Sequence, residues 1–385
     1  MAITTARKIG VGEVRLSINA KANVLDVLDN NRLSYGPYTR RFESEFARIH
    51  NRTFACFMNS GTSALQVGLA AMKEKYGWHD GDKVLVPALT FVASLNVILQ
   101  NNLVPVLVDI RLSDYGMDPQ LAGEIMARHS AADDGNLVAI MPVHLFGRPS
   151  SASLQYMAKI FGLKVITDSC ETMFIDGCAD GDVSCFSTYA CHIINTGVGG
   201  LATTNDPELA SLIRSYANHG RDGIYTGIDD ALGQFEVMNA RFRFDRVGFS
   251  YRATELEAAI GCAELEDHQS NIDARRANAA VLIEQLHDLP LVLPRLEDSV
   301  HMMFPVLAEN RDALTEHLEN NGVETRPMLP LTNQPYLKQI YGAGVEDRFP
   351  VAQDVNRRGF YVGSHPYLSQ KDLNHMADAF GSFFV

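Results

Sequence analysis

The sequence predicts an α/β fold, with a large domain on a mostly parallel sheet and a smaller α+β domain at the C-terminus. Three observations carry this. Apolar runs alternate with helical patterns through the first two thirds of the 385 residues, as strands buried on both faces of a parallel sheet require. A chain of this length exceeds what one small core needs. From Thr254 onward the pattern changes to one long helix, then to a mixture of short strands and helices.

Taken in order, strands are expected over 83–87, 104–109, 137–143, 163–168, 183–188 and 200–204, with helices over 62–75, 92–101, 117–128 and 152–161. An apolar strand ends at Met58, just before Asn59-Ser60-Gly61-Thr62 opens the first of these helices. Thr254, followed three residues later by Glu257, reads as a capping box, so a helix runs from there to about 287 and bridges to the C-terminal domain. Beyond it come a strand at 302–307, a helix at 311–321 and a final helix at 370–383. The domains are set at 1–270 and 271–385.

With 46% apolar and 21% charged residues, the composition is that of an ordinary soluble globular protein. A net charge of −13, with no basic run exceeding a pair such as Arg40-Arg41, speaks against a nucleic-acid surface. Met1 to Lys8 has no apolar leader core, and no run reaches the roughly 18 apolar residues of a membrane span. A cytoplasmic protein without membrane contact is expected. The cysteines at 56, 170, 178, 185, 191 and 262 show no CxxC spacing, so reduced thiols and no metal site are expected.

Three features point to chemistry. Ser60-Gly61-Thr62 sits where a strand hands over to a helix, so its amides and hydroxyls face an anion at the helix N-terminus, although such turns are also common caps. Asp168 closes a predicted strand at the end where open α/β sheets bind ligands, a position equally suited to a helix cap. His192, after Ser187-Thr188-Tyr189-Ala190-Cys191, is of a type that serves as general base near neutral pH, and also of a type often buried for structure alone. The lysines are at 8, 21, 73, 75, 83, 159, 164, 338 and 371, so none lies in the long stretch between Lys164 and Lys338.

The stretch from Phe186 to Gly200 resembles the active-site segment of the DegT/StrS family of pyridoxal-phosphate sugar aminotransferases and dehydratases, of fold type I. In that family a Phe-Ser-Phe-like strand end leads to a cofactor-bonding lysine and then Thr-Gly-Glu-Gly-Gly. Counting back from Gly199-Gly200 places His192 on the lysine position and Ser187 on the serine position. Histidine there marks a subgroup that acts as sugar 3-dehydratases. The resemblance extends to Gly36-Pro37, His144-Leu145-Phe146-Gly147, Asn218-His219-Gly220-Arg221 and Gly248-Phe249-Ser250-Tyr251-Arg252.

It implies that Ser60, Gly61, Thr62 and Ser187 hold the phosphate of pyridoxal 5′-phosphate or pyridoxamine 5′-phosphate. It implies further that Asp168 pairs with the ring nitrogen and that Phe91 stacks on the ring. Glu171 takes the place of a common glutamine, Val198 that of a glutamate, and Ser250 that of an asparagine reaching the neighbouring subunit's cofactor. One dehydratase branch carries an iron-sulfur cluster on cysteines after the histidine, but here only Cys262 follows it. The implied activity is 3-dehydration of a 4-keto-6-deoxy nucleotide sugar, with His192 and Asp168 catalytic, glutamate as amino-acid co-substrate and a homodimer as the assembly. A nucleotide-sugar aminotransferase, including one whose lysine was changed to histidine, and a catalytically silent cofactor-binding protein both stay open as alternatives.

Overall fold

The computed structural model describes residues 8–131, 136–221, 242–328 and 331–385. Two helices, α1 (Ile18–Asp29) and α2 (Pro37–Ile49), precede strand β1 (Phe54–Met58). Then follow α3 (Gly61–Tyr76), β2 (Lys83–Pro87), α4 (Val92–Gln100), β3 (Val104–Val108), α5 (Pro119–Ala131) and β4 (Leu137–Ile140). After these come α6 (Ser153–Ile160), β5 (Lys164–Asp168), β6 (Val183–Ser187), β7 (Gly200–Thr204) and α7 (Pro207–Ala217). The strands form one sheet in the order β1-β7-β6-β5-β4-β2-β3.

The sheet is mostly parallel, as its apolar strands predict, with one exception. β7 runs antiparallel to both β6 and β1. The strand expected through 143 stops at Ile140, shortly before Pro142, which has no N–H to donate to a ladder.

Helices α1, α2 and α7 were not among the elements expected from periodicity. For α2 the reason is physical, because the group that caps it lies elsewhere in the chain. The buried carboxylate of Glu255 accepts the backbone N–H of Gly36 at 2.7 Å, of Tyr38 at 2.9 Å and of Thr39 at 2.9 Å. It thereby satisfies the donors that a helix start leaves orphaned. A Cβ on Gly36 would lie 2.6 Å from a Glu255 carboxylate oxygen, so a side chain there would push Glu255 off the amides that it caps.

Glu255 opens α8 (Glu255–Leu286), whose start carries the expected capping box: Glu257 accepts the Thr254 N–H at 2.9 Å and Thr254 accepts the Leu256 N–H at 3.3 Å. The helix serves two cores. Ala258, Cys262, Leu265 and Ile272 pack with the seven-stranded sheet, whereas Ala279, Leu282 and Leu286 pack with Phe304, Phe360 and Phe380.

That second core lies on a smaller antiparallel sheet, in the order β8-β10-β9. Its elements in chain order are β8 (Met303–Leu307), α9 (Arg311–Asn320), β9 (Arg326–Pro327), α10 (Pro335–Tyr341), α11 (Pro350–Arg358), β10 (Gly359–Gly363) and α12 (Gln370–Phe383). Ile9, near the N-terminus, also joins this core and pairs with Val323. Among the described residues no helix is long and apolar enough to cross a membrane.

Candidate active site

A cavity of about 590 Å³ opens at the C-terminal ends of the parallel strands, and the smaller sheet closes its far side. Residues that follow β2, β4, β5 and β6 line it, together with the first turn of α3 and with Met302, Arg326 and Tyr361 from the C-terminal part.

At the α3 end, Ser60 caps the helix by accepting the Ser63 N–H at 3.0 Å. The amides of the first turn have no acceptor within a helix, so at Gly61 and Thr62 they suit an anion. A Cβ on Gly61 would meet the Cys170 sulfur at 2.7 Å and Ser187 Cβ at 2.8 Å. Glycine thus lets the helix start approach the end of β6, and the resulting cradle brings Ser60, Gly61, Thr62 and Ser187 to one wall of the cavity.

Asp168 ends β5 and is buried. Its Oδ2 accepts the Ser94 hydroxyl at 2.6 Å and its Oδ1 accepts the Cys170 N–H at 3.2 Å. The Ser94 and Thr90 hydroxyls lie 2.7 Å apart; with Ser94 donating to the aspartate, Thr90 is the donor in that contact. The carboxylate therefore accepts two hydrogen bonds, with Thr90 steadying Ser94, and none of these contacts is legible in the sequence.

His192 follows β6 in a loop beside Tyr189, the two rings edge to face with centroids 6.1 Å apart. Its Nδ1 lies 3.2 Å from the Ser187 carbonyl, which only accepts, so Nδ1 carries the proton and Nε2 keeps its lone pair. Burial pushes the imidazole down to about 4; the Ser187 and Cys170 carbonyls oppose this and Arg275 adds to it. The ring is thus neutral at pH 7.

Three side chains on one face of α8 hold this loop. Glu264 accepts the Asn195 N–H at 3.1 Å, Asn271 donates to the Ile193 carbonyl at 2.8 Å and Arg275 donates to the His192 carbonyl at 3.2 Å. Their spacing of seven and four residues was the available signal, but it carries no chemistry until the loop is placed against it.

Glu171 also lines the cavity, with one oxygen accepting the Phe146 N–H at 2.8 Å. Burial raises its carboxyl to about 7, the Phe146 N–H opposes the shift and Asp168 adds to it. His144 is wholly buried at the same wall, and its Nδ1 accepts the Ser150 N–H at 2.9 Å. Its Nε2–H is then a buried donor without a partner. Phe91 borders the opening and is 70% exposed. Ser250 is the one predicted site residue that does not line the cavity; its hydroxyl accepts from Arg252 at 3.2 Å.

The sequence model of the DegT/DnrJ/EryC1/StrS aminotransferase family matches residues 16–381. The chain belongs to this family. Membership makes it a pyridoxal-phosphate-dependent enzyme, of a family that spans sugar aminotransferases and 3-dehydratases. It is 29% identical to a GDP-perosamine synthase of Escherichia coli O157:H7, over 98% of each chain. It is 30% identical to a dTDP-4-dehydro-2,6-dideoxy-D-glucose 3-dehydratase of Saccharopolyspora spinosa, over 91% of this chain and 81% of that one. In fold it is similar to the E. coli GDP-4-keto-6-deoxy-D-mannose 3-dehydratase solved with hydrated pyridoxal phosphate, with a TM-score of 0.85 at 22% identity over 97% of this chain and 100% of that one.

The cradle fits the family's cofactor. A helix start opened by glycine suits a phosphate, and a buried carboxylate across the cavity suits a cationic ring nitrogen. None of the nine lysines, all of them among the described residues, lines the cavity of this DegT/DnrJ/EryC1/StrS family member.

Proposed function

We propose that the enzyme is a 3-dehydratase acting on a 4-keto-6-deoxy nucleotide sugar, with pyridoxamine phosphate held without a covalent bond to the protein. One observation carries this: the cavity holds a histidine that burial keeps neutral, and no lysine.

When bound, the cofactor supplies an amine that condenses with the sugar's keto group and a ring that accepts an electron pair. Asp168, held by Ser94 and the Cys170 amide, keeps the ring nitrogen protonated. Ser60, Gly61, Thr62 and Ser187 would hold the phosphate, and Phe91, at the cavity's edge, would pack on the ring. The Nε2 of His192 would take a proton from the carbon that bears the cofactor's amine and return it to the departing 3-hydroxyl, which leaves as water. The Nδ1–H···O bond to Ser187 would hold the ring in one orientation. Hydrolysis would then free the amine nitrogen as ammonia with the 3-deoxy-4-keto sugar, and glutamate, leaving as 2-oxoglutarate, would restore the amine for the next turnover.

A homodimer is part of this reading. Phe91 stands 70% exposed beside the site, and α1 presents Ile18 at 84% and Leu25 at 60%, apolar surface that a second copy would cover. Ser250, away from its own chain's cavity, would then serve the neighbouring subunit's cofactor. A cytoplasmic setting, where nucleotide sugars are made, fits the same reading.

The likeness to GDP-perosamine synthase favours a second reading, transfer of the amino group to the sugar. Incubating the protein with 4-keto nucleotide sugars, with and without glutamate, and weighing the products separates the two. Loss of one oxygen from the sugar is the expected result. Recovery of an amino sugar as main product from the natural protein would overturn it.

A further inference from the structure

Every substrate of the proposed reaction is an anion, yet the wall described so far carries the acidic groups Asp168 and Glu171 and a neutral histidine. A protein of net charge −13 offers no general field to attract an anion, so a local cation has to receive it. Among the described residues lining the cavity there is one lysine or arginine, Arg326.

Arg326 lies directly opposite Tyr361 in the pairing of β9 with β10. Opposed residues project from the same face of a sheet, and Tyr361 lines the cavity too. Burial pushes the tyrosine hydroxyl up to about 12, with Glu171 adding to the shift, so it keeps its proton and donates. The guanidinium is half exposed and holds Glu324, an ion pair that water screens and a better acceptor displaces. Glu324 does not depend on this contact, since its other oxygen accepts the Val11 N–H at 3.2 Å. Arg275, which holds the His192 loop, is committed elsewhere: it is buried and directs its donors to Met302, His192 and Asn271.

We propose that Arg326, with Tyr361 beside it, forms the oxyanion-binding side of this cavity and receives either the diphosphate of the nucleotide sugar or the carboxylates of the amino-acid co-substrate. Both ligands present the planar pair of oxygens that a guanidinium fork matches. The identity of the ligands rests on the function proposed above; the site's preference for oxyanions does not.

The test is calorimetric titration of the cofactor-loaded protein with GDP, UDP and dTDP as diphosphate probes and with 2-oxoglutarate as carboxylate probe. Arg326→Met is expected to weaken at least one class roughly tenfold or more, with Arg326→Lys recovering part of the loss and Tyr361→Phe giving a smaller one. Cofactor absorbance and thermal midpoint stay as in the wild type, and wild-type affinity falls with added salt. A loss confined to the nucleoside diphosphates identifies the diphosphate as the ligand, and one confined to 2-oxoglutarate identifies the carboxylate. Equal binding of all probes by wild type and Arg326→Met, or no binding of any probe by wild type, would overturn the proposal. Should Arg326→Met not fold, Tyr361→Phe and Arg326→Lys carry the same comparison. If product analysis finds neither dehydration nor amino transfer while Arg326-dependent binding persists, the reaction assignment fails and the oxyanion site stands.

Discussion

The guanidinium of Arg275 donates to the carbonyl of His192 at 3.2 Å and to that of Met302 at 2.8 Å. One buried cation thus ties the loop of the candidate base to the start of the smaller sheet. Arg275→Met removes these donors and leaves buried carbonyls unpaired, at a cost of roughly 2–4 kcal/mol in denaturant unfolding. Turnover should fall by about tenfold or more, because His192 loses its fixed position, while cofactor content stays unchanged. A variant that loses stability but not turnover would make the clamp purely structural.

His192→Lys places a primary amine beside the cofactor aldehyde. The protein should then acquire a long-wavelength absorption band, become sensitive to borohydride and lose dehydration. Fixation of cofactor to the wild-type protein by borohydride would contradict a site without a bonding lysine.

Asp168→Asn removes the carboxylate but keeps the shape. A loss on the order of a hundredfold in turnover is expected, since stabilising developing charge is a leading catalytic contribution. Ser94→Ala, which deletes the 2.6 Å bond to that carboxylate, should cost less, roughly tenfold. Near wild-type rates for Asp168→Asn would reduce the residue to a helix cap.

Acid should destabilise the fold through His50. Its Nδ1–H donates to the Phe46 carbonyl at 2.9 Å and its Nε2 accepts the Phe174 N–H at 3.2 Å, so both nitrogens are satisfied only in the neutral ring. Burial lowers it from 6.5 to about 4. The folded value lies below the unfolded one, so the contribution is fully present above about 6.5 and is lost as pH falls towards 4, up to roughly 3 kcal/mol. Urea unfolding at several pH values should show this decline, with a shallower slope in His50→Gln. Stability unchanged between pH 7 and 4.5 would refute it.

Much of the architecture was legible because its signals are local. Apolar runs marked β2 to β7 to within a few residues, and Thr254 with Glu257 marked the start of α8. The direction of β7 was not legible, because residues 200–204 read the same either way and the neighbours β1 and β6 decide it. Nor was α2, whose cap stands on Glu255, far along the chain.

The site divides in the same way. The sequence alone determined which residue types stand at the ends of the strands: a serine-glycine-threonine turn, an aspartate, and a histidine in a segment where lysine is usual. Tertiary structure alone decided what holds them, with Ser94 on Asp168, Arg275 on the His192 loop, and Arg326 beside Tyr361 at the cavity wall. Periodicity and capping are written within a few neighbouring residues, whereas a hydrogen bond between distant segments exists only once burial of apolar surface has brought them together.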